Sequence, residues 1–81
     1  MISKDAIETA YSFFHQKLRV YEHSTIDSQK DDIEYAISSY VASMSEELYG
    51  ILSDERKDFL ANHGTFGDDL AHAVDTLERM L

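Results

Sequence analysis

Two histidines, two glycines and two adjacent aspartates fall within ten positions of one short stretch, HGTFGDDLAH at residues 63–72. Carboxylate and imidazole groups are side chains that bind zinc, manganese or iron. Asp69 and His72 are three positions apart, which places both on one face of a helix. Helical di-iron sites, however, need a Glu-x-x-His motif on each of two helices and further inward glutamates. Because this chain offers a single Asp-x-x-His, with Asp75 three positions further on, the sequence predicts no metal site and no cofactor.

The residue types needed for catalysis are present, but not in an activating arrangement. The chain has no cysteine, and no serine stands in a Gly-x-Ser-x-Gly turn. Gly64 and Gly67 alone are too sparse for a phosphate-binding loop. Adjacent acids such as Asp68 and Asp69 point in different directions on a helix, so they cannot act on one substrate bond. The sequence therefore predicts a protein without catalytic activity.

Charge and length restrict the function further. The 81 residues include 16 acids and 7 Lys or Arg, a net charge of −9, which repels nucleic-acid phosphates and argues against direct nucleic-acid binding. No apolar run approaches the roughly 18–20 residues of a membrane span, and acids interrupt the first apolar residues, unlike a signal peptide. We expect a cytoplasmic protein that does not contact membranes. A single domain of this size (1–81) buries only about 60–65% of its unfolded surface, so it gains stability from a partner.

The elements that must position these residues are helices, because the chain has no proline and only three glycines. Ser3 is a good N-cap for a first helix that we expect to run to about Glu22. Its apolar residues recur at alternating spacings of four and three, as on one face of a packed helix. This predicted core stripe comprises Ile7, Tyr11, Phe14, Leu18 and Tyr21.

A second, longer helix is expected to start at Asp27 or Ser28 and to reach about Tyr49. Its predicted stripe comprises Ile33, Ile37, Tyr40, Met44, Leu48 and Ile51. The next N-cap by residue type is Ser53, which predicts a short third helix over residues 54–62 that buries its apolar residues Phe59 and Leu60.

These elements give the stretch at 63–72 a structural interpretation. Gly64 is expected to end the third helix in the left-handed conformation. Thr65 is expected to cap the last helix, with Asp68 completing a capping box, and Phe66 to anchor the corner in the core. The last helix then carries Leu70, Val74, Leu77 and Leu81 on one face. The sequence thus predicts an all-α, up-and-down bundle with three substantial helices and one short helix.

The apolar face of the first helix is wider than a single neighbouring helix requires. Phe13 and Val20 form a second row beside the core stripe, and two tyrosines lie off the main stripe of the second helix. Exposed apolar and tyrosine side chains are favoured at interfaces. The predicted protein-contact residues are Phe13, Val20, Tyr35 and Tyr49. Symmetric pairing is the commonest way to cover such a patch, so we expect a homodimer through the first helix.

Two functions remain open on these grounds. The first is a small acidic protein-binding or regulatory module in the cytosol, without catalytic activity, acting on an unidentified protein partner or on its own copy. The alternative is an acidic inhibitor, either an immunity-type protein or a nucleic-acid mimic, that occupies a basic site on a partner. A mimic should concentrate its carboxylates on one surface, whereas a binding module should show an exposed apolar patch.

Overall fold

The computed structural model describes residues 2–81, which form four α-helices, one 3-10 turn and no strand. The elements in chain order are α1 (Lys4–His23), α2 (Asp27–Ser43), α3 (Glu46–Ser53), the 3-10 turn (His63–Thr65) and α4 (Phe66–Met80). The predicted all-α architecture of three substantial helices and one shorter helix is confirmed. None of these helices is long and apolar enough to cross a membrane.

Helix α1 is the centre of the fold, and both of its ends are close to their predicted positions. The Ser3 hydroxyl accepts a hydrogen bond from the Ala6 amide (3.1 Å), as the predicted cap requires. Phe14 is fully buried, and Ile7 and Tyr21 lie on the same face. This face makes its most extensive contact with α4, since Leu70, Val74 and Leu77 are buried on the facing side of the molecule.

Helix α2 packs antiparallel against α1. Phe13 stacks on Tyr40 with ring centroids 4.5 Å apart, and the Tyr21 hydroxyl donates to Glu34 Oε2 at 3.3 Å. Residues late in α1 thus contact residues early in α2, and residues in the middle of α1 contact residues near the end of α2. The predicted caps Asp27 and Ser28 are wrong, because the N-cap is Ile26, which offers no side-chain acceptor. Asp27 lies in the first helical turn, where the helix dipole stabilises its negative charge.

One cluster forms the core and draws on every helix. Its buried apolar members are Ile7, Ala10, Phe14, Tyr21, Ile33, Ile37, Leu48, Leu52, Phe59, Leu60, Phe66, Leu70, Ala73, Val74 and Leu77. The predicted burial of two stripe residues, Ile51 and Leu81, is wrong, because both are exposed. Ile51 is turned outward because it belongs to α3 and not to a continuation of α2, and Leu81 follows the last residue of α4.

The second predicted helix is two helices, separated by a break at Met44. The Met44 backbone is extended, with φ −74° and ψ 152°. Just before it, the Ser43 hydroxyl donates to the Tyr40 carbonyl at 3.0 Å, and just after it the Ser45 hydroxyl accepts from the Leu48 amide at 3.2 Å. Serine side chains compete for backbone groups in this way and favour helix ends. The spacing of the apolar residues predicts one continuous helix because it contains no information on these hydrogen bonds from serine hydroxyls to the backbone.

The predicted helix over residues 54–62 is also wrong. Ser53 is the last residue of α3, and its hydroxyl donates to the Gly50 carbonyl at 3.2 Å instead of capping a new helix. The following segment, which we call the 54–62 loop, consists of turns. Four of its residues have positive φ: Asp54 (48°), Glu55 (63°), Asp58 (56°) and Leu60 (58°). The predicted burial of Phe59 and Leu60 is nevertheless confirmed, so the loop is fastened to the core by two apolar side chains.

The corner before α4 differs from the predicted capping pattern. Gly64 lies inside the 3-10 turn, and no glycine in residues 2–81 has a positive φ. Thr65 precedes α4 but makes no side-chain cap, and Asp68 does not complete a capping box. Phe66 is almost completely buried, so its predicted role as the anchor of this corner is confirmed.

Candidate functional site

Two of the four predicted contact residues are packed within their own chain. The Phe13 ring stacks on Tyr40, with an interplanar angle of 14° and the Lys17 ammonium 5.4 Å from its centroid. The Tyr49 ring meets Phe59 edge-on at 6.0 Å. Both side chains are partly buried against the core. Neither leaves a large apolar face in solvent.

The other two predicted contact residues are exposed. Val20 is 49% exposed and Tyr35 is 76% exposed. Ile26, which the helical spacing does not single out, is 54% exposed. Val20 and Ile26 lie where α1 turns into α2, a region that we call the α1–α2 corner (residues 19–29). A shallow cleft of about 460 Å³ opens there, lined by Arg19, Val20, His23, Ser24 and Gln29.

The carboxylates do not converge on a single surface. Three of them, Asp27, Asp31 and Asp32, are exposed on the first half of α2, on the side from which Tyr35 also projects. The remaining exposed acids are spread over α1, α3, the 54–62 loop and α4: Asp5, Glu8, Glu22, Glu46, Glu47, Asp54, Glu55, Asp58, Asp68, Asp75 and Glu78. This distribution is typical of a solvated helical surface.

Asp69 is the most buried acid and holds the 54–62 loop against α4. Its side chain accepts from the Leu60 amide (2.9 Å), from Arg56 Nη1 (3.0 Å) and from the Thr65 hydroxyl (3.5 Å). A carboxylate that is 6% exposed is thus supplied with three donors. The sequence predicts Thr65 as the cap of this corner with Asp68 completing a capping box. The acid that is engaged is instead the neighbouring Asp69, whose partners Arg56 and Leu60 lie outside the helix.

His72, which follows Asp69 at a metal-ligand spacing in the sequence, does not meet its neighbouring acids in the structure. Its ring meets Phe59 edge-on at 6.4 Å, and its buried Nε2 has no hydrogen-bond partner in residues 2–81. Asp69 is engaged by the loop, and Asp75 pairs with Arg79 at 2.6 Å. His72 lines a cleft of about 300 Å³, but Asp69, His72 and Asp75 do not form a ligand group.

A different group of ligand-type side chains assembles at the junction of α1, α2 and the 3-10 turn. Asp31, Glu34 and His63 each place a donor atom within 4.8 Å of the other two, and His63 Nδ1 lies 2.6 Å from Glu34 Oε2. The spacing of Asp31 and Glu34 on one helix face was visible in the sequence. The contribution of His63, 29 positions after Glu34, was not, because it depends on how the 3-10 turn docks on α2.

Two tyrosines, Tyr21 in the core and the partly buried Tyr40, have pKa values above the ordinary value. Burial raises the pKa of Tyr21, and the negative charges of Glu34 and Asp31 raise it further. Burial also raises the pKa of Tyr40. In both cases the folded state favours the neutral phenol, so each tyrosine contributes stability below its unfolded pKa of about 10.

We therefore expect the free energy of unfolding to fall as the pH rises above about 10, through the raised folded-state pKa values of these tyrosines. Urea unfolding at a series of alkaline pH values, with phenolate absorbance recorded in parallel, measures this loss. Tyr40→Phe removes one titrating hydroxyl and should reduce the steepness of the loss. If the free energy of unfolding falls with pH as steeply in Tyr40→Phe as in the unchanged protein, Tyr40 does not contribute to the alkaline loss of stability.

The structure thus contains two candidate binding features. One is the exposed α1–α2 corner, with Tyr35 exposed further along α2, and the other is the Asp31–Glu34–His63 group. Comparison of the chain with protein-family models, with curated proteins and with solved structures found no match. The function is accordingly inferred from these side-chain groupings.

Proposed function

We propose that this protein is a small protein-binding module without catalytic activity that associates with a second copy of itself through the α1–α2 corner. The observation that carries the proposal is the exposure of Val20 and Ile26 at one end of the same helix pair. Complete burial of a valine or isoleucine side chain contributes about 1.5–3 kcal/mol, and roughly half of each remains available here. Exposed apolar residues with a polar rim are typical of interaction sites.

The charges around the corner support pairing of two identical surfaces. Arg19 has no carboxylate within 4 Å in the part of the chain that the structure describes, although the protein is strongly acidic. Asp27 and Asp32 are exposed on the adjoining first turns of α2. A two-fold axis brings a patch onto its own copy, so Arg19 of one copy can face an acid of the other. The corner therefore carries both signs of charge that an isologous interface needs.

Tyr35 is a separate exposed residue on α2. It lies nine positions after Ile26, which corresponds to roughly 14 Å along a helix and about two and a half turns around it, so the two side chains project from opposite sides. The predicted contact at Tyr35 therefore belongs to a surface separate from the α1–α2 corner. A large, exposed tyrosine is a favourable interface residue because it buries much area while losing little side-chain entropy. Phe13 and Tyr49 contribute less than the sequence suggested, since their own chain covers most of each ring.

The net charge opposes this association and makes it dependent on salt. Each copy carries −9. For centres about 23 Å apart, the middle dimension of the molecule, such charges treated as points repel by roughly 7 kcal/mol at 0.01 M salt but by less than about 1 kcal/mol at 0.15 M. Contacts between Arg19 and a single acid contribute only about 0.2–1 kcal/mol, so screening of the repulsion dominates.

We expect light scattering to show a dimer whose dissociation constant falls at least about tenfold between 0.01 and 0.15 M salt. Val20→Asp should abolish the dimer by placing a charge in the contact. Ile51→Asp is the matched control: it adds the same charge at another exposed aliphatic residue, on α3, and should leave dimerisation almost unchanged.

A monomer at millimolar protein concentration in both salts would overturn the proposal, as would equal effects of Val20→Asp and Ile51→Asp.

The alternative function, an acidic inhibitor of a basic protein site, is favoured by one observation: Asp27, Asp31, Asp32 and Tyr35 share the exposed side of α2. The wide spread of the other carboxylates favours the binding module.

A further inference from the structure

We propose that Asp31, Glu34 and His63 form a binding site for a divalent first-row transition ion, with Zn²⁺ as the best match. Its three ligands lie outside the α1–α2 corner, and the site does not rest on the association proposed for that corner. It joins two segments that are far apart in the sequence, because α2 supplies the two carboxylates and the 3-10 turn supplies the imidazole. The donor atoms of all three side chains already lie within 4.8 Å of one another.

The two carboxylates are brought together without an ion pair to a lysine or arginine, and the neighbouring Lys30 ammonium lies over the Tyr21 ring, 5.5 Å from its centroid. Within residues 2–81, neither Asp31 nor Glu34 has a Lys or Arg nitrogen within 4 Å; the one ion-pair partner of Glu34 is the His63 ring. Carboxylates at such distances repel each other, and a cation between them removes that repulsion. The grouping is therefore electrostatically suited to an ion of charge +2.

The central ligand, Glu34, is positioned by its surroundings. Its Oε2 accepts a hydrogen bond from the Tyr21 hydroxyl, and its side chain is mostly buried. The Tyr21 ring is in turn fixed by Phe66, with centroids 5.2 Å apart, and by Gly67, where a Cβ would lie 3.4 Å from Tyr21 Cε1. A Cβ at position 67 would thus be at the near limit of ordinary van der Waals contact with that ring. Tyr21 thus occupies the place of an outer hydrogen-bond donor that orients a metal-binding carboxylate.

The imidazole is positioned by the start of the 3-10 turn. The Asn62 side chain accepts from the Gly64 amide at 2.9 Å and so caps the turn that begins at His63. The backbone of His63 is held by this turn while its exposed ring reaches Glu34, with Nδ1 facing the carboxylate at 2.6 Å. The ring can therefore adjust by a small rotation without disturbing the core.

The chemistry of the donors selects among cations. One nitrogen and two carboxylate oxygens suit Zn²⁺, with bonds of about 2.0–2.2 Å, better than Ca²⁺ or Mg²⁺, which take oxygen ligands. Ligand atoms around a tetrahedral zinc are roughly 3.3 Å apart. Forming the site thus requires the closest pair of donors to separate by under about 1 Å and the widest pair to approach by somewhat more. Three protein ligands leave the fourth position to water.

Calorimetric titration of Zn²⁺ into the metal-free full chain tests this site. We expect one ion per chain, and at least about tenfold weaker binding in His63→Gln and in Glu34→Gln. His15→Gln is the matched control, because it removes a histidine of α1 that lies outside both the group and the α1–α2 corner, and it should leave the affinity unchanged. Tyr21→Phe keeps the ring and removes only the outer hydrogen bond, so it should weaken binding by about 10–100-fold.

A second measurement reports the ligands directly. In nuclear magnetic resonance spectra, the imidazole signals of His63 should respond to the first equivalent of Zn²⁺ before those of the other histidines. Far-UV circular dichroism should be the same with and without a chelator, because the apolar core already holds α2 and the 3-10 turn together. Absence of Zn²⁺ binding at millimolar concentration, or equal affinity of His63→Gln and His15→Gln, would overturn the proposal.

Discussion

Phe14→Ala should lower the free energy of unfolding by about 3–5 kcal/mol, the usual cost of removing a buried aromatic ring. Phe14 is 0% exposed in the middle of α1, and its ring forms an edge-to-face pair with Tyr40, with centroids 5.4 Å apart. A chain of this length has a total stability of about 4–12 kcal/mol. The substitution should therefore bring the protein close to its unfolding transition at room temperature.

Urea unfolding followed by circular dichroism measures this loss. Tyr35→Ala is the matched control, since it removes an aromatic ring of similar size from an exposed position on α2, and it should change the stability by less than about 0.5 kcal/mol. A loss below about 1 kcal/mol in Phe14→Ala would mean that the α1 face taken as the core is not the one that holds the fold together.

Asp69→Ala should lower the free energy of unfolding by about 2–4 kcal/mol. The substitution leaves the buried Leu60 amide without its acceptor and frees Arg56 from its ion pair. An unsatisfied buried amide costs about 1–3 kcal/mol, and hydrogen bonds to a charged group are the stronger kind. Arg56 is 43% exposed on its side chain and can return to water, which keeps the loss below that of breaking a fully buried pair.

The neighbouring Asp68 provides the control for this second prediction. Asp68 lies in the same first turn of α4 but is exposed, so Asp68→Ala should remove only a helix-dipole interaction of about 0.3–1 kcal/mol. Hydrogen exchange at the Leu60 amide should accelerate in Asp69→Ala and not in Asp68→Ala. Equal losses of stability in the two variants would show that Asp69 does not fasten the 54–62 loop.

The parts of the fold that depend on local patterns could be predicted from the sequence. The Ser3 cap, the length of α1, the buried face of α4 and the anchoring role of Phe66 all follow from residue type and helical spacing. The break at Met44 could not be predicted in the same way. The apolar residues on both sides of it keep a helical spacing, whereas the outcome is decided by serine hydroxyls that compete for backbone groups.

The parts that depend on distant residues could not be predicted. The left-handed backbone of Leu60 is uncommon for a branched side chain and costs about 1–2 kcal/mol. It is offset by the burial of that side chain and by the bond from its amide to Asp69, nine positions away. The Asp31–Glu34–His63 group likewise depends on the docking of one segment on another. Among the predicted contact residues, the sequence placed Phe13 and Tyr49 off the core stripes but could not show that Tyr40 and Phe59 cover them.

The pairing of α1 with α4 has a consequence for the order in which the chain folds. Tyr21 and Phe66 are in contact but 45 positions apart, and closing a loop of that length costs an entropy term of roughly 3 kcal/mol beyond a constant. The α1–α2 hairpin needs only the short connection after His23 and can form first. By itself this hairpin leaves Phe14 and Tyr21 without α4, so its gain in burial is small. The largest apolar contact, between α1 and α4, therefore forms only after the longest loop has closed. The chain should fold more slowly than a bundle in which each helix packs only on its neighbours in sequence.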